Sequence, residues 1–149
     1  MLEPDYRDIF SELFDAQVDF LVVGAFAMAA HGMLRATGDI DIWVRPNPSN
    51  AARVWEALAR YGAPISQLTQ EELAQPGMFF QIGVAPRRID LLTDIDGVTF
   101  DDAWAEREYR SVEGLTIPVI SRRHLKINKQ AVGRPKDLAD VAWIEEREK

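Results

Sequence analysis

Hydrophobic positions along this chain change repeatedly between helical and strand-like spacing. Apolar residues within 6–16 recur at helical intervals, whereas Phe20–Val23 and residues 40–44 are short apolar runs of the kind that form buried strands. Glycines at 24, 32 and 62 stand where these segments end. The same spacing, with Ser49 or Asn50 and Ser121 as candidate caps, predicts further helices over residues 26–31, 50–61, 70–74, 101–108, 122–131 and 135–146.

Two hairpins are predicted in the second half of the chain. Residues 78–84 and 88–93 are expected to form strands joined by a short turn at 85–87, and residues 109–112 and 115–120 form a similar pair. Strands alternating with helices favour an α/β (α+β) domain, and the hairpins add antiparallel neighbours, so we expect a mixed sheet. The chain has no repeat or linker, which predicts a single domain over residues 1–149 with two C-terminal helices.

Composition narrows the chemistry that such a domain can perform. The chain has no cysteine, so disulfides, zinc–thiolate sites and thiol nucleophiles are excluded. With two histidines, a multi-histidine metal site is not expected. Any metal site must then use oxygen ligands, which points to magnesium, manganese or calcium.

Charge is unevenly distributed along the chain. The formal net charge of −7 argues against a surface that binds duplex DNA. Between Glu113 and Asp137, however, there is no acidic residue, and that stretch carries the basic residues Arg122, Arg123, Lys126, Lys129, Arg134 and Lys136. This basic block is either a local anion site or a solvated helix face.

The N-terminal and apolar segments bear on localisation. The first ten residues are acidic and lack the basic and apolar regions of a signal peptide. The longest apolar stretch, around residues 20–30, is too short to span a bilayer. We therefore expect a cytoplasmic protein without membrane association.

The sharpest local feature is the pair of acids at Asp39 and Asp41. In a strand, alternate side chains share a face, so both carboxylates project together while Ile40 and Ile42 point into the core. Adjacent carboxylates repel each other and lose hydration, which a hard divalent cation can offset. The alternative is that both acids lie exposed near a strand end.

A third acid, Asp90, lies in a second strand. If that strand pairs beside residues 39–44, Asp90 joins Asp39 and Asp41 on one face. Two divalent ions about 3.5–4 Å apart can then activate an attacking oxygen and stabilise a leaving one. Asp94 and Asp96 are rivals for the third position, but their sequence context predicts a turn.

Gly24 and Ala25 join the first strand to the following helix. Free N–H groups at such a junction, together with the helix dipole, can hold a phosphate, and small residues let it approach the backbone. Many α/β proteins have a strand–Gly–helix turn for packing reasons alone.

Taken in order, these residues resemble the nucleotidyltransferase superfamily, the polymerase-beta-like palm fold. Its signature is an apolar strand, a Gly-Gly or Gly-Ser turn into a helix, Asp-x-Asp on the next strand and a third acid later. Residues 22–44, VVGAFAMAAHGMLRATGDIDIWV, and 133–140, GRPKDLAD, are similar to small bacterial stand-alone members of the toxin–antitoxin or defence type. Ala25 departs from the signature, because alanine lacks a hydroxyl and tolerates positive φ poorly.

The resemblance implies a metal-dependent transfer of a nucleoside monophosphate from a nucleoside triphosphate, such as ATP, to a hydroxyl acceptor. The acceptor is a small molecule, a protein or an RNA end, and a partner protein is implied by analogy. Asp39, Asp41 and Asp90 would be catalytic and would bind two Mg²⁺ or Mn²⁺ ions together with the nucleotide. Phosphate binding is expected from Gly24, Ala25, Arg35, Thr37, Lys126, Lys129, Arg134 and Lys136.

Two other interpretations stay open. A non-catalytic descendant of the same fold would bind a nucleotide or a partner without transferring anything, as one half of a toxin–antitoxin pair. A calcium-binding or purely structural domain would also place the acids at the surface. Metal-dependent nucleotide binding separates the enzyme from this last alternative.

Overall fold

The order of helices and strands follows the predicted order closely. The computed structural model of the protein describes residues 4–33, 38–84 and 87–149. Within these ranges the helices are α1 (Pro4–Asp15), α2 (Gly24–Ala30), α3 (Pro48–Tyr61), α4 (Gln70–Leu73), α5 (Phe100–Ala105), α6 (Arg122–Val132) and α7 (Pro135–Arg147), with a 3-10 turn at Ile65–Gln67. The strands are β1 (Phe20–Val23), β2 (Asp39–Val44), β3 (Phe79–Ile82), β4 (Arg88–Leu92), β5 (Glu108–Val112) and β6 (Leu115–Val119).

The described strands form one mixed sheet in the order β3-β4-β2-β1-β6-β5. Antiparallel pairs join β1 to β2, β3 to β4 and β5 to β6. The β3–β4 and β5–β6 pairs confirm the two predicted hairpins. Parallel pairs join β2 to β4 and β1 to β6. The expected α/β domain with a mixed sheet is therefore confirmed, and the two acidic strands are direct neighbours within it.

The two faces of β2 have different surroundings. Ile40 and Ile42 point to one face and are fully buried in the core. Trp43 lies on the other face with the acids, and its ring meets Phe100 of α5 edge-on at 5.0 Å between centroids. Helix α5 therefore covers the Trp43 end of this face, while Asp39 and Asp41 at the other end are only half-buried.

Side-chain caps fix where several helices begin. The N-cap of α3 is Asn47 rather than the predicted Ser49 or Asn50, because the Asn47 side chain accepts a 2.7 Å hydrogen bond from the backbone N–H of Asn50. Pro48 then takes the first helical position, where its missing N–H costs nothing. Ser121 caps α6 as predicted, by accepting from the backbone N–H of His124.

Helices α6 and α7 pack against each other through a buried ion-pair cluster. Lys129 of α6 lies 2.9 Å from Asp140 and 3.5 Å from Asp137, both on α7. All three side chains are nearly inaccessible. Since buried charges are tolerated only when they are paired, this cluster fixes how the two helices meet. None of the helices in the described ranges is both long and apolar enough to cross a bilayer.

Candidate active site

The register of the two neighbouring parallel strands brings the predicted acids together. Asp41 of β2 pairs with Asp90 of β4, and Asp39 pairs with Arg88. Partners in register on parallel strands point to the same face, so the three carboxylates and the guanidinium share one side of the sheet. Asp90 is buried at 3% exposure, whereas Asp39 and Asp41 are half-buried.

Gly24 lies directly against this acidic group. It follows Val23, which pairs with Asp41, and it has a φ of +70°. A Cβ at position 24 would overlap Oδ2 of Asp41 and crowd the rest of its carboxyl group. The position therefore requires glycine for two reasons, which are its backbone conformation and the close approach of the Asp41 carboxylate.

A cleft of about 540 Å³ opens over the acids at this side of the sheet. Its walls come from the β1–α2 junction, from β2 and β4, and from the region where α6 meets α7. The lining residues are Gly24, Ala25, Gly38, Asp39, Asp41, Arg88, Lys129, Arg134, Lys136 and Asp140. The sequence elements that carry predicted chemistry thus converge on one cavity although they are far apart along the chain.

Crowding of like charges changes the proton affinity of Asp41. Burial, followed by the neighbouring carboxylates of Asp90 and Asp39, raises the pKa of Asp41 to about 6, against the opposing effect of Arg88. A carboxyl group with this pKa exchanges its proton close to neutral pH. Such a shift is typical of sites where charge is concentrated for function.

Arg88 partly compensates this negative charge. Its Nη2 donates to Oδ2 of Asp39 at 2.8 Å and to Oδ2 of Asp90 at 3.0 Å. The guanidinium therefore links two acids that belong to neighbouring strands. No feature of the sequence motif singled out Arg88, although its position two residues before Asp90 places it on the same strand face.

The residues present suit a hard divalent cation in their chemistry. Every candidate ligand is a carboxylate oxygen, which Mg²⁺ and Mn²⁺ prefer. Oδ1 of Asp90 is buried, and no donor within the described part of the chain reaches it. Asp90 is not among the residues that line the cleft, but it is the register partner of Asp41, which does line it. An orphaned acceptor in this position is suited to coordinate a cation.

The carboxylates nevertheless do not form a ready-made ligand shell. Over residues 4–33, 38–84 and 87–149, no three acidic or histidine side chains are grouped closely enough to hold a metal ion as they stand. Asp39 and Asp90 are instead turned toward Arg88. A metal at this site therefore requires these side chains to rearrange.

Three of the four predicted cations of the basic block line the cleft. Lys129, Arg134 and Lys136 do so, whereas Lys126 is absent from its walls. Lys126 instead pairs with Glu148 at 3.0 Å and Glu145 at 3.6 Å, both near the end of α7. The structure therefore does not place Lys126 with the other predicted phosphate contacts, because its side of α6 is directed along α7 toward these acids.

The remaining cations differ in how they are held. Arg134 donates from Nε to Asp137 at 2.6 Å, which lowers the pKa of that carboxyl group. Lys136 is exposed and has no ion-pair partner among the described residues. Lys136 is thus available to an anion in the cleft, while Lys129 and Arg134 are already engaged with carboxylates.

Other singled-out residues have structural positions. Arg35 and Thr37 lie outside the described residues. His31, which was not predicted as a site residue, is buried at the end of α2, where its Nε2 donates to the carbonyl of Ile120 at 2.7 Å. Asp96 lies in a small turn closed by a bridge between Ile95 and Val98, and Asp94 directly precedes this turn, in agreement with the turn prediction.

Sequence reasoning missed some of the cleft residues. Gly38, Arg88 and Asp140 all line the cavity but were not predicted as site residues. Asp137 and Asp140 are three positions apart and so share a face of α7, which was the available signal for a site facing Lys129.

Comparison with known proteins supports the fold. No family model and no curated protein matches the chain. Among solved structures, a candidate nucleotidyltransferase from Thermotoga maritima aligns with a TM-score of 0.65 at 18% identity, over 98% of this chain and 96% of that one.

Two further solved structures align with nearly the whole chain. The lincosamide antibiotic adenylyltransferase LnuA, bound to lincomycin, aligns with a TM-score of 0.62 at 13% identity, over 97% of each chain. ANT(2")-Ia, in complex with adenylyl-2"-tobramycin, gives 0.51 at 12% identity over 96% of each chain. The resemblance read from the sequence is thus confirmed at the level of architecture: the chain has the nucleotidyltransferase fold.

Proposed function

We propose that this protein transfers a nucleoside monophosphate from a nucleoside triphosphate to a hydroxyl group, in a reaction that needs Mg²⁺ or Mn²⁺. The observation that carries the proposal is the register of β2 and β4. It sets Asp90 beside Asp41, which lines a cleft that also contains cationic side chains. Acids that repel one another next to cations that would attract phosphate are hard to explain by stability alone.

The carboxylates have distinct proposed roles. Asp39, Asp41 and Asp90 would hold the metal ions, which would neutralise charge on the phosphates and make the attacking hydroxyl group more acidic. Asp90 also accepts the proton of that hydroxyl group. The acceptor oxygen then bonds to the α-phosphorus, the bond from that phosphorus to the bridging oxygen breaks, and pyrophosphate leaves with its electrons.

Binding of the triphosphate is assigned to the other walls of the cleft. Gly24 and Ala25 present a backbone that a phosphate can approach closely, since neither has a bulky side chain. Lys136 is the cation that can turn toward the phosphates without giving up a described ion-pair partner. Lys129 and Arg134 contribute positive charge from fixed positions, and Asp137 and Asp140 orient Lys129.

The acceptor is a compound with a hydroxyl group, and the transfer assay described below identifies its chemical class. One structural neighbour is an antibiotic adenylyltransferase bound to lincomycin, and another is in complex with an adenylylated tobramycin. That likeness is one of fold, so it supports the reaction type and leaves a small molecule, a protein and an RNA end as acceptor classes.

A second candidate is a nucleotide-binding protein that no longer transfers. Two observations favour it: Arg88 engages two of the three acids, and Ala25 replaces the second small residue of the signature. Such a protein would still bind a triphosphate in the cleft, but it would not transfer the nucleoside monophosphate to an acceptor.

A transfer assay with labelled nucleotides tests the proposal. The protein is incubated with each α-labelled triphosphate, Mn²⁺ and whole-cell extract, beside Asp41→Asn and Asp90→Asn variants. We expect label on one acceptor class with the wild type and none with the variants. Nucleotide binding without transfer would favour the second candidate, and absence of both would refute the assignment of the cleft.

A further inference from the structure

Arg88 forms an unusual bridge across the proposed metal site. A single nitrogen, Nη2, contacts Oδ2 of Asp39 on β2 at 2.8 Å and Oδ2 of Asp90 on its own strand at 3.0 Å. One side chain therefore links two carboxylates that belong to neighbouring strands. The bridge uses carboxylate oxygens that the proposed function assigns to a metal ion.

The guanidinium is poorly satisfied apart from these two contacts. Its Nε is buried, and no hydrogen-bond acceptor within the described residues reaches it. Structural arginines at buried sites usually satisfy most of their donors, because a buried donor without a partner loses its hydration and gains nothing in return. The position of Arg88 is thus set by the charge of the acids rather than by a complete network of its own.

Arg88 also has space into which it can move. Its side chain is one-third exposed and lines the 540 Å³ cleft, whereas the Asp90 side chain is 5% exposed and is not among the lining residues. A long side chain at the cleft wall can change rotamer without disturbing the core. The guanidinium can therefore leave while the backbone of both strands stays in place, and the freed carboxylate groups then turn toward the metal.

We propose that Arg88 is the resident counter-ion of the carboxylate cluster, and that it gives up Asp39 and Asp90 to a divalent cation when the metal binds. This inference rests on the proposed function, because it concerns the same metal site. It explains why the donor set suits a metal while no ligand shell is assembled among the described residues: the oxygens are already paired with a monovalent cation. Arg88 is then a positioning residue that keeps the acids folded together before metal and nucleotide arrive.

The exchange predicts a competition that can be measured without activity. Removing the resident cation removes a competitor, so Arg88→Gln should bind Mn²⁺ more tightly than the wild type, by about fivefold or more, which is the lower range of typical site couplings. Electron paramagnetic resonance of free Mn²⁺, with no nucleotide present, gives the dissociation constants. Arg60→Gln is the matched control, because Arg60 also pairs with a carboxylate, Glu56, but does not line this cleft.

The outcomes separate this inference from the proposed function. Tighter binding by Arg88→Gln, with Arg60→Gln unchanged and Asp41→Asn weakened, supports the exchange. Equal or weaker binding by Arg88→Gln, with Asp41→Asn still weakened, overturns the exchange and leaves the metal site intact. If neither the wild type nor Arg88→Gln binds Mn²⁺, both proposals fail together.

A second measurement covers the case in which Arg88→Gln does not fold. In the wild type, the Nε–H resonance of Arg88 can be followed by NMR during a Mg²⁺ titration and assigned by its loss in Arg88→Lys. We expect a shift that saturates with the metal. An unmoved resonance at saturating Mg²⁺ would overturn the exchange.

Discussion

At the scale of single residues, electrostatic repulsion among the acids of the cleft destabilises the folded protein. Asp41 has a pKa of about 6 in the fold, against 3.8 as its ordinary value, because it is buried beside Asp90 and Asp39. Since the folded state binds this proton more tightly, the contribution of Asp41 to stability is full below pH 4 and is lost as the pH rises through 6. Over that window, ionising Asp41 opposes folding.

Replacing Asp41 with asparagine should remove this pH dependence. In EDTA, we expect the wild type to lose stability relative to Asp41→Asn between pH 4 and 7. The loss should be at most about 3 kcal/mol, because the folded and unfolded pKa values of Asp41 differ by about two. Urea unfolding across this range provides the measurement. A variant that is less stable than the wild type at pH 7 would instead identify Asp41 as a structural cap or ion-pair partner.

Gly24 offers a second test at the residue scale. Gly24→Ala adds a Cβ that overlaps the Asp41 carboxylate at a φ of +70°, so we expect a loss of about 2–4 kcal/mol in unfolding free energy and a weaker thermal response to Mn²⁺. Gly62→Ala is the control, since Gly62 also has positive φ but no neighbour within 4 Å of the added atom. Equal losses for both variants would show that backbone strain alone is at work and that the contact with Asp41 is unimportant.

At the scale of elements, the contribution of each lysine of α6 to the stability of the α6–α7 pair depends on the face of α6 that the lysine occupies. Lys129 is buried against Asp137 and Asp140, whereas Lys126 is partly exposed against Glu145 and Glu148. Lys129→Met would remove a buried cation that contacts both Asp137 and Asp140, while Arg134 still pairs with Asp137. We expect it to cost about 3–5 kcal/mol, against no more than about 1 kcal/mol for Lys126→Met.

Thermal and urea unfolding of the two lysine variants would decide this point. Similar small losses would mean that the cluster is more hydrated than its burial indicates. A loss confined to Lys129→Met would show that the same cluster that orients the cleft cation also holds the helix pair together.

Much of the order of helices and strands was predictable from the sequence, because the spacing of apolar residues differs between helices and strands. The alternation of Asp39, Ile40, Asp41 and Ile42 determined which side chains share a face, and the same rule applied to Asp90. The predicted pairing of these two strands is confirmed, so the meeting of the acids followed from two short patterns once the fold was known.

Other features of the site lay beyond what periodicity can predict. The bridge from Arg88 to Asp39 joins residues 49 positions apart, and only the register of β2 and β4 reveals it. The different surroundings of Lys126 and Lys129 depend on where α7 crosses α6, which a basic run does not encode. The Asn47 cap was missed because Ser49 and Asn50 offer equally good capping side chains in the same stretch.

At the scale of the whole molecule, an acidic chain must attract a polyanion to a small area. The net charge is −7, so the general field of the protein opposes a triphosphate. The cleft offsets this field with the cations of α6 and α7 and, in our proposal, with bound metal.

Lys136 gives this idea a direct test. Among the described cations of the cleft it has no ion-pair partner, so we expect Lys136→Gln to weaken triphosphate binding by about 1.5–3 kcal/mol, the usual range for a charge-assisted hydrogen bond. Lys126→Gln should bind like the wild type. A fluorescent-nucleotide titration measures both variants. If Lys136→Gln binds the nucleotide as tightly as Lys126→Gln and the wild type do, the basic block is only a solvated surface.

The most direct measurement of the central claim is calorimetric titration of a non-hydrolysable ATP analogue, with Mg²⁺ and with EDTA, into the wild type and Asp41→Asn. We expect the wild type to bind the analogue with Mg²⁺ and to bind little or none in EDTA, because the three carboxylates repel phosphate when no metal is bound. In Asp41→Asn, the difference between the two conditions should be lost. Equal affinity of the wild type with Mg²⁺ and in EDTA would contradict a metal-dependent nucleotide site at Asp39, Asp41 and Asp90.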